Sequence, residues 1–305
     1  MERILSLKIR ACLEKNKIDW KNIQEIRMRL NKPLILINGS HEFMLDEKNG
    51  VVSRSYHPYI VSVSDFQESL AYICQYSLYA YEEELCQGFI TIRGGHRVGI
   101  SGQVVLNHGE IQSISYISAM NIRIAHDVKG CAEPVFCYLW ENNQPCHTLI
   151  ISPPGCGKTT LLRDLVRLFS EGYGHFRGRS VSLVDERSEV AACYQGIPQN
   201  NVGMRTDVMD HCPKALGVEM MVRSMAPKVI AFDELGTSRD LEAVNYAIHS
   251  GCSVLTSMHG KDWSDFCQHF KTSVFDRYIF LNDWTEEKRV REIMDSRGKI
   301  IYKAG

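Results

Sequence analysis

The segment Ser152-Pro153-Pro154-Gly155-Cys156-Gly157-Lys158-Thr159-Thr160 constrains this chain more than any other. It carries the spacing GxxxxGK[ST] at every fixed place except the first, where serine stands for glycine. An apolar run at 147–151 precedes it, and Leu161, Leu162 and Leu165 follow at helical spacing. Strand, turn and helix in that order leave the first amides of the helix free to hold phosphate. Gly155 and Gly157 supply the backbone freedom such a turn needs. On this reading Lys158 bridges the β- and γ-phosphates of a nucleotide, the Thr159 hydroxyl is a ligand of Mg²⁺, and the Thr160 hydroxyl serves the α-phosphate. ATP and Mg²⁺ are the expected ligands.

Further along, Val229-Ile230-Ala231-Phe232-Asp233-Glu234 is an apolar strand that ends in adjacent carboxylates, the grammar of a Walker B element. Period two sends the two acids to different sides of the strand. One, Asp233, can then hold the metal through water, while the other, Glu234, orients and deprotonates the attacking water. A further acidic run, Asp185-Glu186-Arg187-Ser188-Glu189, ends a strand at 181–184, and His259 lies just past a strand at 253–256. In a parallel sheet these strand ends gather on one edge, which makes Glu186 and His259 candidates for sensing or positioning the γ-phosphate and its water.

The strands at 147–151, 181–184, 229–232 and 253–256 alternate with helical patterns at 161–169, 216–225 and 241–249. This predicts an α/β domain with a parallel core sheet, followed by more antiparallel alternation in the last thirty residues. The first part reads differently. Ile4, Leu7 and Ala11 mark an amphipathic helix that breaks at 15–17. Ile26, Met28 and Leu30 alternate with Arg27 and Arg29, which places two arginines on one surface. A hairpin turns at Asn38-Gly39, and Ser64 with Gln67 has the spacing of a capping box ahead of Phe66, Leu70, Ile73 and Cys74. Tyr76, Tyr79 and Tyr81 follow, expected to pack partly buried. A second hairpin, 89–93 and 97–105 about Gly94-Gly95, pairs with a strand at 111–117. The organisation expected is a smaller α+β domain at 1–130 without nucleotide chemistry, then a P-loop NTPase domain at 131–305.

A formal net charge of −1 leaves no chain-wide basic excess, so the composition gives no strong nucleic-acid signal. Eleven cysteines without a CxxC pair, behind an N-terminus without a secretory apolar stretch, fit reduced thiols in a cytosolic protein. No apolar run is long enough to span a bilayer, so membrane association is expected to be peripheral.

Taken together, the phosphate loop, the acidic 185–189 run, RSMAPKVIAFDELG at 223–236 and TSMHG at 256–260 resemble the stage III sporulation protein AA family of endospore-forming bacteria. EIRMRLNKPL at 25–34, GFITIRGGHRVGISGQV at 88–104 and NIRIAHDVKG at 121–130 extend the resemblance over nearly the whole chain. That family is similar in turn to the hexameric secretion and pilus-retraction ATPases, in which Walker A, acidic box, Walker B and histidine box occur in this order. The resemblance implies a RecA-like ATPase domain behind an N-terminal domain, and a homo-oligomer, namely a hexamer. It also implies work with membrane proteins of a sporulation channel complex, from the mother-cell cytoplasm and at the membrane only through those partners.

In secretion ATPases, arginines of the N-terminal domain reach the bound phosphates, and the matching positions are Arg97 and Arg123. By themselves both read as strand arginines in solvent. Ser152 departs from the family's first Walker A glycine, and His126 stands where the pattern has arginine. Two other functions stay open at this level. One is a nucleic-acid-stimulated motor with Arg93, His96, Arg97 and Arg123 as a basic face; the other is an ATP-binding scaffold that hydrolyses little.

Overall fold

Ile26 and Met28 are fully buried and their neighbours Arg27 and Arg29 are not, so a period-two strand sets one side of a sheet on a core. In the computed structural model, residues 2–16, 18, 20, 22–46, 50–86, 88–126, 128–263, 265, 274–282 and 289–304 are described, and the chain divides into two units, Met1–His126 and Asp127–Gly305. Lys17 and Cys267 lie outside the described residues.

The first unit runs α1 (Leu7–Lys15), β1 (Glu25–Arg29), β2 (Ile35–Asn38), β3 (His41–Asp46), β4 (Gly50–Val52), α2 (Val63–Ile73), α3 (Glu82–Cys86), β5 (Phe89–Ile92), β6 (His96–Asn107) and β7 (Glu110–Arg123). The strands form a seven-stranded antiparallel sheet in the order β4-β3-β2-β1-β7-β6-β5. One face packs Ile26, Met28, Leu36, Ile90, Val98 and Ile122 with the helices' Ile9, Leu13, Phe66 and Ile73. Burying these aliphatic and aromatic groups at roughly 1.5–3 kcal/mol each holds the unit together.

Several local expectations shift here. The buried residues of α1 are Ile9 and Leu13, in line with Leu5 just ahead of the helix, while Leu7 is 62% exposed. Both stripes have helical spacing, and packing against the α2 side decides between them. The hairpin pairs Asn38 with His41, so its turn is Gly39-Ser40, one residue later than expected, with Gly39 in the left-handed region. The capping box is Ser62 with Asp65, not Ser64 with Gln67, because the helix opens at Val63. Tyr81 is buried, but Tyr76 and Tyr79 are 78% and 84% exposed, so the tyrosines do not pack together as a partly buried cluster.

The second unit opens with a short hairpin, β8 (Trp140–Glu141) and β9 (Gln144–Pro145), then β10 (Thr148–Ser152) and α4 (Lys158–Glu171). A second small hairpin, β11 (Gly172–Tyr173) and β12 (Phe176–Arg177), leads to β13 (Val181–Asp185), β14 (Thr206–Asp210), α5 (Lys214–Met225), β15 (Val229–Phe232), α6 (Ser238–His249) and β16 (Ser253–His259). β17 (Arg277–Leu281), β18 (Val290–Asp295) and β19 (Ile300–Lys303) close the unit. The eight strands lie in the order β14-β13-β15-β16-β10-β17-β18-β19.

The sheet is mixed rather than wholly parallel. Strands from β14 to β17 are parallel, and β18 and β19 add antiparallel at one side. Both faces are buried, which explains the continuous apolar runs. Ile150, Leu183 and Ala231 meet α4 through Leu161, Leu162 and Leu165 on one face. Leu149, Ile151, Val184, Ile230 and Phe232 meet Val218, Met221 and Val244 of α5 and α6 on the other. This three-layer packing fixes the carboxyl ends of β10, β13, β15 and β16 beside one another.

Candidate active site

The turn after β10 needs glycine for its backbone conformation. Gly155 has φ +80° and Gly157, the residue that caps α4, has φ +89°, both in the left-handed region. A Cβ on Gly155 would meet nothing within 4 Å, so the torsion alone makes the demand. Lys158, Thr159 and Thr160 then form the first turn of α4, whose amides have no partner within the helix. Ser152 is buried as the last residue of β10, and its hydroxyl donates to the Pro153 carbonyl at 3.0 Å. Cys156 is buried beneath the loop.

Lys158 is a buried ammonium. It donates to His259 Nδ1 at 2.8 Å and lies 3.4 Å and 3.5 Å from the carbonyl oxygens of Ser152 and Pro153. Burial lowers its pKa, opposed by the charges of Glu234 and Asp233. Because Lys158 can only donate, Nδ1 accepts, and His259 Nε2 is left to donate to Glu234 Oε1 at 2.8 Å. A lysine–histidine–glutamate chain thus runs across the site. Its middle member is anchored by the sheet, since His259 is the register partner of Ser152.

Asp233 follows β15 and receives the Ser257 hydroxyl on Oδ1 at 2.9 Å and the Thr159 hydroxyl on Oδ2 at 3.3 Å. Burial raises its pKa, and Glu189 and Glu234 add to the rise. A hydroxyl and a carboxylate facing each other suit a hard divalent cation such as Mg²⁺, which binds oxygen donors and keeps several waters. Glu234 has φ +42°, left-handed for a residue with a side chain, and this turn separates its carboxylate from that of Asp233.

Pro154, Gly155, Gly157, Lys158, Thr159, Thr160, Asp233, Glu234 and His259 line one cavity of about 420 Å³, together with Arg187 and Glu189. Glu186 is not among its lining. It pairs with Lys214 at 3.0 Å in an adjoining cavity of about 200 Å³ that shares Asp233 and Glu234 with the first. Within the acidic run it is therefore Glu189 and Arg187 that share the loop's cavity. Asp185 turns back on its own loop and accepts amides of Glu189, Val190 and Ala191 at 2.8–3.0 Å. Lys214 and Ser257 were not singled out by sequence reasoning. Ser257 sits two residues before His259 in a strand-end run that could have flagged it, whereas nothing local marks Lys214.

Arg97 and Arg123 belong to the first unit, where they are register partners on β6 and β7. With Arg27 and Arg29 they line an open cavity of about 410 Å³ on the sheet face opposite the core. Arg97 lies over the Phe89 ring at 4.1 Å, and Arg123 pairs with Glu25 at 3.5 Å. His126 bonds the Ile23 carbonyl at 2.9 Å, a contact within the first unit. His96 does not contribute to a basic face. It accepts the Ala125 amide at 3.0 Å, and burial pushes its pKa down to about 4.

The architecture is an α/β fold with a mixed sheet, shared with solved structures of an ATPase and of a pilus retraction motor. The ATPase DotB of Legionella pneumophila superposes with a TM-score of 0.58 at 15% identity, covering 95% of this chain and 81% of that one. The pilus retraction motor PilT with bound ADP gives 0.56 at 13% identity, covering 90% and 77%. Identities this low speak for the fold.

The chain belongs to the sporulation stage III, protein AA family, whose model matches residues 1–301. Stage III sporulation protein AA of Bacillus subtilis (strain 168) is 41% identical over 288 residues, which is 92% of this chain and 90% of that protein. Among the described residues no helix is long and apolar enough to cross a membrane.

Proposed function

We propose that this chain is a Mg²⁺-dependent P-loop ATPase with a RecA-like second unit, which turns ATP hydrolysis into work on a membrane channel complex during endospore formation. The observation that carries the reading is the single cavity in which Lys158 and Thr159, at the start of a helix, face Asp233, Glu234 and His259. Backbone amides from Gly155 to Thr160 and the Lys158 ammonium gather the phosphates. Thr159 and Asp233 are the residues that would hold Mg²⁺, which supplies charge neutralisation to the phosphate oxygens when bound. Glu234 accepts a proton from water as that water's oxygen bonds the γ-phosphorus and the bond to the β–γ bridging oxygen breaks. His259 steadies the Glu234 carboxylate and Lys158, and Glu186 acts at one remove, through Lys214.

Sporulation is supported by the family, and motor work by the pilus retraction motor that shares the fold. A hexamer that docks on membrane proteins from the mother-cell cytoplasm follows the same line. Arg97 and Arg123 fit a shared site in such a ring: two guanidinium groups placed opposite each other on adjacent strands repel, and Glu25 beside Arg123 offsets part of that. Phosphates held by a second copy would relieve that repulsion and gain positive charge in the transition state.

The test is hydrolysis and ATP binding in two variants. Glu234→Gln is expected to lose roughly 10²- to 10⁴-fold in turnover with ATP affinity kept, and Lys158→Ala to lose ATP affinity itself. Parental turnover in the first or parental affinity in the second would overturn the assignment. The four-arginine face also favours a second reading, a nucleic-acid-stimulated motor. Single-stranded DNA would then raise turnover with a steep salt dependence; a flat response leaves the channel reading.

A further inference from the structure

Lys214, the first residue of α5, carries an ammonium that is mostly withdrawn from solvent and ties three elements together. It donates to the Glu234 carbonyl oxygen at 2.8 Å, pairs with Glu186 Oε2 at 3.0 Å and lies 3.9 Å from Asp240 Oδ2. These groups come from the loop after β13, the turn after β15 and the first turn of α6. The turn they enclose is strained, because Glu234 has φ +42° and residues with a Cβ avoid that region.

What holds the turn can be read bond by bond. The Glu234 amide donates to the Ser257 hydroxyl at 3.3 Å and the Leu235 amide to the Ser257 carbonyl at 2.7 Å. Asp240 receives the amides of Gly236 and Thr237, each at 2.9 Å. Lys214 fixes the carbonyl of the strained residue and shares its charge with Asp240, the acid that clamps the next two amides. It also sits among Asp185, Glu186, Glu189, Asp233 and Glu234, which line the adjoining cavity and repel one another.

We propose that Lys214 is a positioning residue for hydrolysis, holding Glu234 in the left-handed turn that aims its carboxylate at His259 and the phosphate-loop cavity. The proposal rests on Glu234 as the group that activates water. Lys214 is not among the residues that line the phosphate-loop cavity; it acts through the peptide of Glu234, and Glu186 acts through Lys214. Loss of the ammonium leaves the carbonyl without this donor and the acids with Arg187 in place of two cations, so the turn relaxes and the carboxylate swings from its place.

The experiment compares steady-state ATP hydrolysis and equilibrium ATP binding in the full chain for the parent, Lys214→Met, Lys214→Arg, Glu186→Gln and Glu234→Gln. Lys214→Met is expected to lower kcat by roughly 10²-fold, the penalty of a misplaced catalytic group. KM and ATP affinity should stay within about threefold of the parent, since ground-state binding is untouched. Lys214→Arg should restore most of the rate, and Glu186→Gln should lose roughly three- to tenfold.

Parental kcat in Lys214→Met overturns the proposal, as does a joint loss of rate and affinity that arginine fails to rescue. If Lys214→Met does not fold, Glu186→Gln decides in the same way, a parental rate counting against. Parental turnover in Glu234→Gln sinks the reading of Glu234 instead. A crystal structure of Lys214→Met then settles Lys214 separately: Glu234 still left-handed and bonded to His259 overturns it, and a relaxed turn upholds it.

Discussion

The two units bury carboxylates in opposite ways. In the first, Asp65 is ringed by donors: Ser6 Oγ at 2.9 Å, Tyr59 Oη at 3.0 Å, and both the hydroxyl and the amide of Ser62 at 2.6 Å and 3.2 Å. Burial works to raise its pKa, but these hydrogen bonds outweigh it and hold the group below its ordinary value. In the second, Asp185 also accepts backbone amides, yet burial pushes it up to about 6, and the charges of Asp210 and Asp233 add to the rise. A carboxylate among donors is a structural pin. One crowded by other acids costs stability, which fits the cation and phosphate site proposed above.

Removing the pin gives the larger effect on stability. Asp65→Ala leaves the hydroxyls of Ser6 and Tyr59 and the Ser62 amide without their acceptor, and should destabilise the first unit by about 2–3 kcal/mol in urea unfolding of the whole chain. A loss below about 0.5 kcal/mol, the range of an ordinary surface change, would break the contrast.

Asp233→Asn should move the other way. Removing one of the crowded charges raises ligand-free stability by about 1 kcal/mol while hydrolysis falls. A clear decrease in stability would show that the acids of the second unit do not strain it.

Acidification separates the units by sign. Asp65 has a depressed folded pKa, so its contribution is present above the unfolded value of 3.8 and is lost as pH falls through the folded one. Asp185 has a raised one, so between 3.8 and about 6 the native state holds a proton that the unfolded chain has released, and its contribution falls as pH rises. From pH 7 to pH 5, protection of β13 in hydrogen exchange, corrected for intrinsic rates, should rise while that of β1 stays level. Parallel trends in both strands would remove the distinction.

The phosphate loop and the paired acids were legible because consecutive residues define them, and the order β10, α4, β13, β15, β16 followed from apolar runs that a doubly covered sheet requires. Strand β14 was missed because Thr206–Asp210 is half-exposed and carries two aspartates, without the run that marks its neighbours. Lys214 was missed for a related reason: its approach to Glu234 depends on where β14 delivers α5. The arginine face was half legible. Arg27 and Arg29 share a side by period two, but only the register brings Arg97 and Arg123 onto it.

The pairing of Ser152 with His259 on adjacent parallel strands has a mechanical consequence. Prying the loop's first residue outward would unzip the ladder that carries the imidazole, so the two move as one block. The ring therefore stands as a fixed post, and on the function proposed above a nucleotide would change its company by drawing the Lys158 ammonium towards the phosphates. An Nδ1 atom freed in that way would report an occupied loop, through a nitrogen-15 resonance of the ring and without any backbone displacement.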